Sequence, residues 1–188
     1  MSRILLSRIY YPVTVLGYGR RLGVWVQGCK RACKGCISPE MQTPQGVLVE
    51  VRKVTDQIPK DLKLDGLTVS GGEPFDQPDA VAELVLWYLN TYNDDVLIYT
   101  GYKKEELEKR SDPASKWLLT HVAALVDGSY MAELNTGQGS MGSSNQRLYV
   151  SRYTERYQDF ATQTRKLQCI QETDRLYWIG IPPLEKER

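Results

Sequence analysis

The sequence predicts an α/β fold organised as a partial, open βα barrel. Three observations lead there. Short runs rich in β-branched residues alternate with helical patterns, most of those runs stop at glycine, and there are too few such units to close a barrel of eight.

The elements follow in order. Residues 22–27, LGVWVQ, form a strand that ends at Gly28 and feeds directly into a basic cysteine loop. Residues 48–58 place Val51, Val54 and Ile58 on one face and predict a helix. A buried strand over 65–70 ends at Gly71-Gly72. The stretch 76–92 opens with acidic residues and Pro78, which are helix-start signals. A strand over 95–100 stops at Gly101, a charged helix covers 103–110, and a strand runs over 122–128. Residues 137–145, GQGSMGSSN, have the composition of a flexible linker, and no Gly-Lys-Ser/Thr follows to make a phosphate loop. From residue 151 the character changes. Residues 166–171 and 175–181 read as a β-hairpin around the turn 172–174, closed by Pro182-Pro183. The predicted organisation is one α/β domain over 1–150 and an extension over 151–188 packed on the same domain.

Composition narrows the classes. The 188 residues fit one medium domain, and a net charge of +1 gives no electrostatic reason to expect nucleic acid or an anionic membrane. No leader pattern and no long apolar run is visible, so the expected setting is cytoplasmic. The single histidine, His121, leaves no room for a multi-histidine metal site. Tyr149, Tyr153 and Tyr157 recur every four residues and predict a helix packing face.

Chemistry sits beyond the carboxyl ends of parallel strands. Here those ends carry the cysteine loop, SGGEP (70–74), TGY (100–102) and Asp127-Gly128. Cys29, Cys33 and Cys36 sit in GCKRACKGC, spaced Cys-x3-Cys-x2-Cys. The loop alone leaves two readings open. Zinc needs four ligands, which His121 or Cys169 would have to complete. An iron–sulfur cluster held by three thiolates would keep one iron open for a substrate or cofactor. Gly71 and Gly72 let the backbone approach a ligand, and Glu73 with a nearby carbonyl suits an ammonium group. Pro74 ends that motif. Thr100 and Asp127 end neighbouring strands, where each either faces a ligand or finishes a turn, and Asn145 has the same choice. Lys30, Arg31 and Lys34 either steer an acidic partner or lie solvated.

The two motifs together, three cysteines after one strand and Gly-Gly-Glu-Pro after the next, resemble the radical S-adenosylmethionine (SAM) enzymes. The resemblance implies the partial barrel of that superfamily over 1–150, with a 4Fe-4S cluster on Cys29, Cys33 and Cys36. It also implies SAM as the missing fourth ligand, and Gly71, Gly72, Glu73, Pro74, Thr100 and Asp127 near the cofactor. Reductive cleavage of SAM would then give a 5′-deoxyadenosyl radical.

YYPV (10–13), QGCKRACKGC, SGGEPFDQP, YTGY (99–102), LVDGSY (125–130) and GSSNQR (142–147) are similar to the anaerobic ribonucleotide reductase activating enzymes. That branch implies a glycyl radical installed on a large partner protein; the acidic partner that Lys30, Arg31 and Lys34 would steer is an electron donor such as a flavodoxin. Ile37-Ser38 and Gly17-Tyr18-Gly19 depart from the branch's usual residues, and 151–188 extends past its usual end. Two other readings stand beside it: a radical SAM enzyme acting directly on a peptide or metabolite, and a zinc-stabilised binding module without catalysis.

Overall fold

The computed structural model describes residues 1–172 and 175–184. Its strands are β1 (Arg3–Val13), β2 (Arg21–Val26), β3 (Val47–Glu50), β4 (Gly66–Gly71), β5 (Val96–Tyr99), β6 (Ala124–Asp127), β7 (Arg147–Val150), β8 (Gln168–Glu172) and β9 (Arg175–Ile179). Its helices are α1 (Val51–Thr55), α2 (Pro78–Thr91), α3 (Lys104–Glu108) and α4 (Pro113–His121). Seven strands form one sheet in the order β3-β1-β2-β4-β5-β6-β7, and β8 and β9 form a separate hairpin.

The centre of the sheet, β2-β4-β5-β6, is parallel, while β1, β3 and β7 pair antiparallel. The all-parallel expectation is corrected at both edges. On the β1 side the chain reverses at 14–20, and on the β7 side it reverses through 128–146.

Alternation along the central strands divides the core in two. Leu22, Val24, Val26, Val96, Ile98 and Leu125 point to the helical side, where Val81, Leu84, Val85 and Tyr88 of α2 and Leu118 of α4 meet them. Trp25, Leu97, Ala124 and Val126 point the other way. There the tail covers them: Ile170 and Ile179 pack with Trp25, and Tyr157 and Phe160 pack with Leu97 and Val126.

Three further expectations are corrected, and one helix is new. The helix predicted over 48–58 splits into β3 and α1, because Val47–Glu50 pair with Arg3–Leu6 of a strand that the sequence pattern did not reveal. Helix α4 was also unanticipated, although Asp112 caps it by accepting from Ser115 N–H at 2.7 Å and Pro113 opens it. Residues 137–145 are no loose linker. Gly139 N–H donates to Gln163 C=O, Ser140 N–H donates to Phe160 C=O, and Ser140 and Ser143 are buried. The tyrosine helix is absent: Tyr149 lies on β7, Tyr153 has φ +61°, and Tyr157 ends a short 3-10 turn. The predicted hairpin is present, with the middle of its turn, 173–174, outside the described residues.

The amino ends of the parallel strands are closed by a buried ion-pair network. Arg21 donates to Thr68 Oγ1 at 2.7 Å, to Leu67 C=O at 2.7 Å and to Asp95 at 3.1 Å. Asp95 also accepts from Arg156 at 2.8 Å and from Tyr157 at 2.7 Å, which ties the tail to the sheet. Gly66 is small because a Cβ there would lie 2.2 Å from the Arg21 guanidinium.

Candidate functional site

The carboxyl ends of the same strands surround a cavity of about 720 Å³, within the range of small-molecule sites. Cys29, Cys33 and Cys36 all line it, as do Gly71, Gly72, Glu73, Thr100 and Gly101.

The cysteine loop leaves β2 through Gly28, whose φ of +89° favours glycine. Its position is fixed by backbone and amide bonds. Gly28 N–H and Cys29 N–H donate to Met41 C=O and Gln42 C=O at 2.9 and 3.0 Å. The Gln27 amide holds the carbonyls of Glu40 and Thr43, and the Gln42 amide donates to Cys33 C=O at 3.2 Å. Asp76 accepts from Lys30 N–H at 2.8 Å, and Arg31 donates to Ser129 Oγ at 2.7 Å. Arg31 is therefore committed, while Lys30 and Lys34 remain exposed. No sequence pattern marked Gln42, Asp76 or Ser129 as supports of this loop. Only the Asp-Gln-Pro start of α2 hinted that an acidic residue stands there.

The glycine pair also has a structural duty that its sequence does not announce. Gly72 N–H donates to Val26 C=O at 2.7 Å and Glu73 N–H to Gly28 C=O at 2.8 Å. A Cβ on Gly71 would meet Val26 O at 2.5 Å, and one on Gly72 would meet Gly28 O at 2.2 Å. The glycines let the end of β4 lie directly against the root of the cysteine loop.

Glu73 is buried, and both carboxylate oxygens are taken. Oε1 accepts from Phe75 N–H at 2.9 Å and Thr100 Oγ1 at 2.7 Å, and Oε2 accepts from Gly101 N–H at 2.7 Å. Burial pushes its pKa up to about 7 against the pull of those three donors. It thus ties the ends of β4 and β5 together. Thr100 Oγ1 in turn accepts from Tyr102 N–H, and Tyr102 donates to Asp76 at 2.7 Å.

Three predicted residues, Pro74, Asp127 and Asn145, do not line the cavity. Pro74 is buried at the start of a 3-10 turn, Pro74–Asp76. Asp127 is buried, accepts from Lys104 N–H at 2.6 Å at the start of α3, and pairs with Arg147 at 2.6 Å. Asn145 donates to Ser129 C=O at 2.8 Å.

The arrangement of the thiols can be set against what zinc and a cluster each require. Among the described residues, no three Cys, His, Asp or Glu side chains converge on a point where one metal ion would sit. His121 stacks on Trp117 at 4.1 Å and Cys169 is exposed on β8, and neither lines the cavity. A single zinc ion needs four converging ligands. A cluster offers separate irons to separate thiolates, so its ligands surround a volume instead of meeting at a point. The three free thiols around one cavity fit a cluster, with no fourth cysteine on the wall among the described residues. Burial pushes the Cys29 thiol pKa up.

One wall of the cavity was not foreseen from the sequence. Leu167, Leu176, Tyr177, Trp178 and Ile181 of the hairpin region line it.

Residues 15–149 match the family model of the 4Fe-4S single cluster domain. The chain is similar to anaerobic ribonucleoside-triphosphate reductase-activating proteins. It is 32% identical to that of Haemophilus influenzae over 151 residues, covering 74% of this chain and 94% of the relative. It is 29% identical to that of Enterobacteria phage T4 over 150 residues, covering 76% and 92%. It is 33% identical to that of Vibrio cholerae over 150 residues, covering 74% and 94%.

Proposed function

The chain belongs to the anaerobic ribonucleoside-triphosphate reductase-activating family, whose members are enzymes, and from that premise we propose that it is a radical SAM glycyl-radical activase. Its substrate in this reading is a glycine of an anaerobic ribonucleotide reductase. The observation that carries the reading is three cysteine thiols on one cavity with no fourth cysteine beside them among the described residues.

A reduced cluster and SAM, when bound, would supply the chemistry: one electron from the cluster would split the sulfonium into methionine and a 5′-deoxyadenosyl radical able to take a hydrogen atom from a glycine Cα. The chain's own residues do the placing. Cys29, Cys33 and Cys36 hold the cluster. Gly71, Gly72 and the backbone of Glu73 face SAM, with Thr100 and Gly101 on the adjoining wall. Pro74 and Asp127 support that rim from outside, by setting the turn after β4 and the start of α3. The parallel centre of the sheet supports assignment to the open radical SAM barrel, with the cofactors at the carboxyl ends of the strands.

Among the described residues no helix is long and apolar enough to cross a membrane. We place the enzyme in the cytoplasm, where Lys30 and Lys34 offer a basic approach for an acidic electron donor such as flavodoxin.

The test is anaerobic reconstitution with iron and sulfide. The chain should turn brown, cleave SAM to 5′-deoxyadenosine with dithionite, and give the reductase a glycyl radical doublet by EPR. A colourless protein holding one zinc ion defeats the reading. A chain that cleaves SAM and modifies a peptide or metabolite, while the reductase never acquires a radical, defeats the choice of substrate.

A further inference from the structure

The hairpin β8–β9 lies beyond residue 149, where the match to the family model ends, yet it builds one wall of the cavity that holds the three cysteines. It is firmly seated. Ile170 and Ile179 are buried against Val13, Leu16 and Trp25. The Arg8 guanidinium lies 3.6 Å over the ring of Tyr177. The Gln168 amide donates to Pro12 C=O at 2.7 Å and accepts from Thr14 N–H at 3.1 Å.

Side chains alternate along β9. Tyr177 and Ile179 face the body, which leaves Leu176 and Trp178 on the other face, 62% and 63% exposed. Both of these exposed side chains nevertheless line the cavity, so they border the space between the cysteines and solvent. Two large apolar side chains two residues apart on one strand, at the approach to the cavity, are placed for contact with something that enters it.

We infer that Leu176 and Trp178 select the partner polypeptide, by packing against apolar residues that flank the glycine-bearing loop of the reductase as it enters the cavity. This rests on the activase reading. Two considerations favour that occupant. A glycine offers no side chain to recognise, so its neighbours in sequence must carry the recognition. And the cofactor residues lie within the stretch shared with the family, so a partner preference particular to this chain belongs outside that stretch, where the hairpin is. A second copy of the chain seated here would cover the cavity that the reductase must enter.

The experiment compares wild type with Trp178→Ala, Leu176→Ala and the conservative Trp178→Phe, all reconstituted anaerobically. Affinity for the anaerobic ribonucleoside-triphosphate reductase of the same organism is measured by calorimetry. Glycyl radical yield is followed by EPR against reductase concentration, and uncoupled SAM cleavage is measured alongside. Both alanine variants should weaken binding about tenfold or more, as loss of an interface anchor does. The half-saturating reductase concentration should rise in step, the plateau should be kept, and Trp178→Phe should recover most of the affinity. Unchanged affinity and half-saturation in both alanine variants, with an active wild type, overturns the inference. So does a parallel loss of uncoupled cleavage, which would make the pair part of the cofactor pocket. A wild-type dimer that the variants dissociate assigns the face to a second copy and also overturns it. If wild type itself cleaves SAM but never radicalises the reductase, the activase reading has failed, and the control shows which of the two was wrong.

Discussion

The two ends of the same parallel strands treat polar groups in opposite ways. At the amino ends, Arg21, Thr68, Asp95, Arg156 and Tyr157 satisfy one another. At the carboxyl ends the carboxylates are also spent, Glu73 on the loop after β5 and Asp127 on α3 and Arg147. Three thiols and the glycine-rich end of β4 line the cavity there. The Glu73 and Asp127 carboxylates build the rim around them.

Substitutions at the two ends should therefore fail in different ways. The largest effect belongs to Cys29→Ala, Cys33→Ala or Cys36→Ala. Each should lose the iron–sulfur absorbance and reduce SAM cleavage to background, while Cys169→Ala keeps both. Equal loss from Cys169→Ala would mean a fourth protein ligand and would blur the contrast. Next comes Asp95→Ala, which strands a buried Arg21 and should cost about 3–5 kcal/mol in chemical denaturation. At a temperature where it stays folded, its cleavage rate should remain near wild type. A collapse of activity with unchanged stability would show that the lower network reaches the site. Gly72→Ala sets a methyl against Gly28 C=O and should cost about 3 kcal/mol, at the upper end of overpacking penalties. Unlike Asp95→Ala it should also impair cluster assembly, because the cysteine loop must shift.

The smallest effect is a pH dependence. The pKa of Glu73 is raised in the fold, from an ordinary carboxylate value to about 7, so the folded state binds the extra proton. Its stabilising contribution is complete below the unfolded pKa and is lost as pH rises through about 7. Stability should fall across that window, since each tenfold difference in proton affinity between the two states is worth about 1.4 kcal/mol. Glu73→Gln should flatten the slope, and an unchanged slope would assign it to another group.

Much of the receptive end was legible in the sequence, because its signals are local. The cysteine spacing, the glycines that stop β4 and β5, and the runs of β2, β4, β5 and β6 each sit within a few residues. What could not be read depends on distant partners. β1 has register irregularities between Leu6 and Arg8 and again between Tyr10 and Val13, which break the two-residue period of a strand. β3 looked helical until β1 paired with it. The service of Glu73 to Gly101 spans 28 residues, and that of Asp127 to Arg147 spans 20. Residues 137–145 have a linker's composition, and the group that fixes them, Arg165, comes well after them.

That arginine sets a limit on redesign. Its guanidinium gathers the carbonyls of Gly139, Met141, Gly142 and Pro182 and the Asn135 amide oxygen. A version of the enzyme cut back to residue 150 would release that whole stretch and bare the surface beneath Tyr157 and Phe160.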